Sequence, residues 1–310
     1  MKKMISMVIW LPLLFLISGC NEKETKLYED TIKSIKKVIS KPEPTLSVPG
    51  FIIDSHIHYR ATDEWEKSFL TIYEKFNAMG CILVNMRDLE RGISFAKAHP
   101  ERVIPYAAIK IDSPTVLDDI QKVYDIGFKG LGELFAVNQW NYDDPKYDPI
   151  WELAEKLGMP VAPHTGILAS GQLSRMRPGY LGTIAVKFPN LIIHAAHFGN
   201  PWYNEAGEIA RRNKNVFFDM TGSSLIKKDH DPGYWKNFLW WTSHIGKAHM
   251  PADAVPAFEK IVFATDESPE ALEENIIRFN KVLDACGVTG ETRAKCYGLT
   301  IAQIHGIEVK

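Results

Sequence analysis

Two histidines separated by one residue, His56 and His58, close an apolar run that begins at Phe51. Side chains two apart on an extended strand share a face, so the spacing predicts two converging imidazoles with Asp54 on the same side. Converging neutral imidazoles suit a divalent ion of the zinc, manganese, iron or nickel type. Such a pair alone says little, but Glu133, His164, His197 and Asp266 each close another apolar run further along the chain. Taken singly, each has a plainer explanation: a hydrogen-bonded structural histidine, or for Asp266 the N-cap of the helix that follows. Chance does not readily put all six at such positions, so His56, His58, Glu133, His164, His197 and Asp266 form the candidate metal set. His194 is a contrast. Three residues from His197, it should face the other side of a regular strand and pack against helices. His99, His230, His244, His249 and His305 fall outside the pattern.

Residues of this kind need a scaffold that gathers several strand ends. Strands are expected at 51–55, 81–86, 102–110, 128–134, 160–164, 191–197, 215–220 and 260–265. Helices are expected between them, among others at 64–79, 115–126 and 150–157, with closing helices at 269–285 and 290–304. Near-continuous apolar strands imply burial on both faces, hence a parallel sheet wrapped by helices. Eight such units in succession fit an α/β fold of the (β/α)8 barrel type, whose catalytic groups come from the C-terminal ends of the strands. The competing doubly wound sheet usually carries a glycine-rich phosphate loop after its first strand. Here that strand runs instead into Asp-Ser-His-Ile-His at 54–58. The barrel is expected to occupy 50–310.

The 310 residues are 45% hydrophobic and 24% charged, which excludes a disordered, collagenous or coiled-coil chain. With 36 Lys+Arg against 38 Asp+Glu, no basic surplus points to nucleic acid, and four cysteines are too few for a disulfide scaffold. Pairing of Cys286 with Cys296 is left open by the sequence.

The N-terminus has a separate logic. Lys2 and Lys3 precede an apolar run from Met4 to Ile17, shorter than the roughly 20 residues that span a membrane. Small residues and Cys20 follow, the layout of a secretory signal. Leu16-Ile17-Ser18-Gly19-Cys20 resembles the lipobox of bacterial lipoproteins, which implies a signal peptide over 1–19 and acylation of Cys20. The chain would then be lipid-anchored at the cell envelope without spanning a membrane. Asn21 in place of aspartate favours the outer membrane. Residues 20–49, rich in Lys and Glu and ending in Lys-Pro-Glu-Pro at 41–44, read as a tether.

From residue 51 onward the chain resembles the amidohydrolase superfamily, in particular its amidohydrolase-related branch. The resemblance rests on Ile-Ile-Asp-Ser-His-Ile-His at 52–58, Gly-Phe-Lys-Gly-Leu-Gly-Glu at 127–133 and Gly-Met-Pro-Val-Ala-Pro-His-Thr-Gly at 158–166. It continues through 188–199, Asn-Val-Phe-Phe-Asp-Met-Thr-Gly at 215–222 and Ile-Val-Phe-Ala-Thr-Asp at 261–266. It implies a mononuclear site held by His56, His58, His164 and Asp266, with His197 either supporting those ligands or in a catalytic role. Gly-Leu-Gly-Glu-Leu at 130–134 is also similar to the strand 4 motif of TatD-type metal-dependent nucleases, in which the glutamate bridges two metals and the strand 6 histidine is a ligand. The whole-chain resemblance favours one metal, and Glu133 keeps two open. Residues 297–307 and Ala264 depart from the family's usual pattern without touching a candidate ligand.

The activity implied is a metal-dependent hydrolase that attacks a lactone, ester or amide of a small organic acid or carbohydrate derivative. Asp266 would accept the proton of the attacking water and His197 would stabilise the developing oxyanion or bind a second metal. A metal-dependent decarboxylase uses the same ligands, and a silent surface-anchored binding protein is the alternative from another class. Arg175 and Arg177 after strand 5 are candidates for gripping a carboxylate. Trp140 after strand 4, and Tyr234, Trp235, Phe238, Trp240 and Trp241 after strand 7, are candidates for an aromatic wall or lid. Replacing Cys20 by serine should release the protein from the membrane fraction or block its maturation. Unchanged membrane association, with no lipid label on the wild type, would reject the anchor.

Overall fold

The computed structural model describes residues 49–309 except 138–139, 169–173, 223, 229–230, 232–233 and 236–256. The expected signal peptide, and the tether up to residue 48, lie outside the described residues. So do Phe238, Trp240, Trp241, His230, His244 and His249 of the strand 7 loop.

Eight parallel strands follow one another in chain order: β1 (Ile52–His58), β2 (Ala78–Asn85), β3 (Val103–Ala108), β4 (Gly130–Leu134), β5 (Val161–Pro163), β6 (Ile193–Ala195), β7 (Val216–Asp219) and β8 (Ile261–Val262). Each pairs with the next. The ends meet where Ser55 N–H donates to Phe263 O (2.9 Å) and Asp266 N–H donates to His56 O (2.8 Å). This is the expected (β/α)8 barrel. Around it run α1 (Asp63–Lys75), α2 (Leu89–Ala98), α3 (Val116–Ile126), α4 (Asp148–Leu157), α5 (Gly179–Lys187), α6 (Tyr203–Arg212), a short α7 (Ser224–Lys227), α8 (Leu272–Cys286), α9 (Gly290–Ala294) and α10 (Thr300–His305).

Local chemistry sets where these elements start and stop. α1 begins at Thr62, whose side chain accepts from Trp65 N–H (3.2 Å), and Asp63, Glu64 and Glu66 place negative charge on its first turn. It ends well before the expected residue 79. Asn77 turns the chain through a left-handed conformation (φ 47°) and its amide donates to Gly50 O (2.7 Å), which frees Ala78, Met79 and Gly80 to open β2. The barrel floor is packed with Ile53, Met79, Cys81, Leu83, Ile104, Tyr106, Ala162 and Val262, and Ile301 and Ala302 of α10 close it from below. Burying each larger side chain here contributes roughly 1.5–3 kcal/mol. The floor leaves no pore and fixes the strand ends above it.

Two sequence expectations fail for one reason, an interrupted alternation. On β1, Asp54 pairs with Gly80 and Ile57 with Ile82, so Ser55 and His56 together stand opposite Cys81. This bulge inverts the side on which the following residues point. Asp54 therefore leaves the histidines' face and turns to α1, where Tyr73 donates to it (2.5 Å). Thr265 Oγ1 (2.6 Å) and the backbone N–H groups of Thr265 (3.0 Å) and His56 (3.1 Å) complete its partners. On β6, the strand ends at Ala195 before His197 is reached, so counting parity back from His197 misplaces His194. His194 turns into the barrel, towards its floor and α10. It lies edge-on to Tyr106 of the barrel floor, with ring centroids 6.2 Å apart. The three described cysteines, Cys81, Cys286 and Cys296, are free and buried, so Cys286 and Cys296 do not pair.

Neither ring nitrogen of His194 has a hydrogen-bond partner among the described residues, and burial pushes its pKa down from 6.5 to about 4. As pH falls from about 6.5 to about 4, the unfolded chain takes up a proton that the folded chain refuses. Stability should drop across that window by on the order of 3 kcal/mol. His194→Leu should remove most of this acid sensitivity, read as a smaller difference between melting temperatures at pH 7 and pH 4.5. An unchanged difference would assign the acid sensitivity to other groups.

Candidate metal centre

β1 sends His56 and His58 into the mouth of the barrel with their Nε2 atoms 3.3 Å apart. Asp266 Oδ1 stands 3.4 Å from His56 Nε2 and 3.3 Å from His58 Nε2. Glu133 Oε2 approaches the same two nitrogens at 3.7 and 3.5 Å. The other oxygen of Glu133, Oε1, faces His164 Nδ1 at 2.7 Å and His197 Nε2 at 3.2 Å. All six residues expected from sequence converge. They divide into two sets of potential ligands, His56 with His58 and Asp266, and Glu133 with His164 and His197.

The backbone aims these groups by leaving regular structure at the strand ends. His197 (φ 67°) and Asp266 (φ 52°) both adopt left-handed conformations that non-glycine residues rarely occupy, and such positions cluster at functional sites. Gly222 lets β7's following turn pass close beneath His197, because a Cβ there would lie 2.9 Å from His197 Nδ1. Tyr142 shares its buried hydroxyl proton between Leu134 O (2.7 Å) and His164 O (2.9 Å), tying the end of β4 to that of β5. Thr165 Oγ1 donates to Ala196 O and accepts from Gly199 N–H (2.9 Å), tying β5 to β6. Phe135 stacks on the His164 ring, with centroids 5.1 Å apart.

Asp219 is missing from the sequence-based set, although the rule that selected the others applies to it, since it closes the expected 215–220 strand. It is fully buried at the end of β7, with Oδ2 3.1 Å from His56 Nδ1 and Oδ1 accepting from His197 N–H (2.9 Å).

The donor set requires positive charge. Burial opposes ionisation of Glu133, yet His56 and the hydrogen bonds from His164, His197 and His58 hold its carboxyl well below the usual range. Asp266 is held down by His58, His56 and His197 against its own burial. Burial likewise works against an imidazolium at His56, but Glu133, Asp219 and Asp266 outweigh it and raise its pKa to about 10. Three ionised carboxylates around facing imidazoles favour a cation among them. The spacing fits one, because ligands bonded at about 2.1 Å to a tetrahedral ion lie about 3.4 Å apart. His164 Nε2 is also buried without a partner among the described residues. His58, with 46% of its side chain exposed, marks the side open to substrate.

The expected substrate residues are placed less centrally. Arg177 is bound to Glu205, which also caps the start of α5 by accepting from Gly179 N–H (2.7 Å). Its guanidinium also lies over the Trp202 ring at 5.4 Å. Arg175 is partly buried in the same loop. Trp140 is largely exposed and meets the Lys146 ammonium 5.4 Å above its ring. Trp235 is buried and donates to Leu225 O (3.0 Å), while Tyr234 is exposed.

A family model described as amidohydrolase matches residues 80–298, more than half of the chain. The chain belongs to the amidohydrolase family. The matched region holds Glu133, His164, His197 and Asp266, whereas His56 and His58 lie upstream and join them through the geometry of β1. No curated protein sequence matches this amidohydrolase. Among solved structures, an uncharacterised TIM-barrel protein from Bordetella bronchiseptica superposes with a TM-score of 0.61 at 15% identity, covering 82% of this chain and 98% of that one. A probable 2-pyrone-4,6-dicarboxylic acid hydrolase from Acinetobacter baumannii, with citric acid bound, gives 0.55 at 14% identity over 83% and 99%. A 5-carboxyvanillate decarboxylase from Novosphingobium aromaticivorans, complexed with manganese and a nitrobenzoic acid, gives 0.54 at 12% identity over 86% and 100%. At such identities the likeness is one of fold. Family membership makes the chain an enzyme.

Protein purified without the first 20 residues should carry a divalent metal, and replacing both His56 and His58 by alanine should abolish binding at their set. Elemental analysis decides this; stoichiometric metal retained by the double variant at that set would reject the assignment.

Proposed function

We propose that this amidohydrolase hydrolyses a C–O or C–N bond in a lactone, ester or amide of a small carboxylated organic acid with the help of two divalent ions, zinc or manganese, which His56, His58 and Asp266 on one side and Glu133, His164 and His197 on the other would hold. The division of the Glu133 carboxylate carries this reading. One oxygen faces His56 and His58 and the other faces His164 and His197. The sequence favours one ion; the shared carboxylate supports two. The names of relatives in fold lend further support, since one is named a probable hydrolase of a pyrone dicarboxylic acid and another is complexed with manganese.

When bound, such ions acidify a coordinated water and polarise a carbonyl. The chain supplies the rest. Asp266, less enclosed than Glu133, faces the His56–His58 pair with Oδ1 and His197 with Oδ2, and takes the proton of the attacking water for delivery to the leaving group. Glu133, His164 and His197 are buried whereas His58 is exposed, so substrate enters from the His58 side. Next to Phe135, a recess of about 580 Å³ lined by Ile109, Lys110, Ile111, Asp112, Pro114 and Val137 takes the apolar body of the substrate. The acylated Cys20 holds the enzyme at the cell envelope, on the outer membrane, as the lipobox-like 16–20 suggests.

Decarboxylation is the second reading, supported by the decarboxylases among the solved structures of similar fold. Turnover of lactones, esters, amides and aromatic acids in ¹⁸O-water separates the two, because hydrolysis places ¹⁸O in the organic product whereas decarboxylation releases carbon dioxide and leaves the organic product unlabelled. Glu133→Gln should cut metal content from about two ions per chain towards one and lower kcat by at least about 100-fold, equivalent to roughly 3 kcal/mol. One ion per chain in both proteins would overturn the two-ion reading.

A further inference from the structure

Beneath the two ligand sets lies a polar arrangement that the proposed chemistry does not use. Asp219 makes four contacts through two oxygens. Oδ2 is 3.1 Å from His56 Nδ1. Oδ1 accepts from the backbone N–H groups of His197 and Thr221, both at 2.9 Å, and from Thr221 Oγ1 at 2.6 Å. Thr221 passes the arrangement on, because His197 Nδ1 lies 3.0 Å from both its carbonyl and its hydroxyl oxygen.

Donor and acceptor roles follow from chemistry. A carboxylate and a carbonyl oxygen only accept. His56 Nδ1 must therefore carry the proton it gives to Asp219, and His197 Nδ1 the proton it gives to Thr221 O. The Thr221 hydroxyl spends its proton on Asp219 and turns a lone pair to His197. In both rings Nε2 is left to bind a cation, and in both it is Nε2 that faces Glu133. One ring belongs to each ligand set.

We propose that Asp219 is the positioning residue of the whole centre, fixing the Nδ1–H tautomer of His56 directly and that of His197 through Thr221, so that one carboxylate presets a nitrogen in each ligand set. It touches neither substrate nor ion. The inference rests on the metal-centre reading, and its test separates the two.

Asp219→Asn preserves shape and leaves Oδ1 to accept from His197 and Thr221, but it turns an NH₂ group towards His56 Nδ1. The ring must then accept there and place its proton on Nε2, where it blocks the ion. Chelator competition with zinc should show affinity at the His56 set weakened by roughly 10–100-fold, with the melting temperature of the metal-free protein close to wild type. Thr221→Val removes the hydroxyl and keeps the carbonyl, so it should weaken the Glu133–His164–His197 set by less than Asp219→Asn weakens the other, and Thr221→Ser should bind there as the wild type does. Ring-nitrogen correlation spectra of the zinc-loaded wild type should show His56 and His197 protonated at Nδ1. Wild-type zinc affinity in folded Asp219→Asn overturns the inference while leaving the metal centre intact. If that variant does not fold, a wild-type His56 protonated at Nε2 overturns it equally. A wild type that binds no zinc, manganese, iron or nickel removes the metal centre and this inference together.

Discussion

Electron-rich atoms that face one another in a closed space must have positive charge between them. Here His56 Nε2, His58 Nε2, Asp266 Oδ1 and Glu133 Oε2 meet at 3.3–3.7 Å, and two of the contributing residues are buried. The surrounding features serve that crowding. The packed floor of Ile53, Leu83, Tyr106 and Val262 fixes the strands from which the donors rise. The ties through Tyr142 and Thr165 stop neighbouring strand ends from moving apart under mutual repulsion. A barrel suits the task because every strand delivers its last residue to the same rim.

Most of the fold was legible because burial on both faces leaves a plain trace in sequence. Apolar runs such as 191–197 and 260–265 cannot be solvent-facing strands, and their succession left few topologies. The six candidate ligands were legible for a related reason, since a histidine or carboxylate ending an apolar run has little structural excuse. What escaped depended on irregular backbone. The β1 bulge that separates Asp54 from His56 has no signature in Asp-Ser-His, and the early end of β6 has none in His-Ala-Ala-His. Boundaries moved for similar reasons, as when Asn77 cut α1 short.

Asp219 escaped differently. Its residue type and place were visible, but its importance lies in bonds to residues 22 and 163 positions away along the chain. Spacing within one segment cannot show that a carboxylate holds other ligands instead of acting as one. Arg177 is the converse case: its charge suggested substrate, and Glu205 across the loop accounts for it.

The bulge in β1 has a consequence for how this strand can change. Below it, Ile53 answers to the packed floor; above it, His56 and His58 answer to the mouth, and Ser55 is the spare residue that lets the two halves keep different phases. Substitutions on either half are therefore matters of local fit. Loss of the bulge with Ser55 retained is of another order, because pairing Ser55 alone with Cys81 would rephase the upper half as a block and deliver Ile57 to the mouth in place of its neighbours. Shortening the strand by Ser55 itself would instead leave His56 opposite Cys81 and His58 opposite Leu83, so relatives of this chain can lose that one residue and still present both histidines to the mouth.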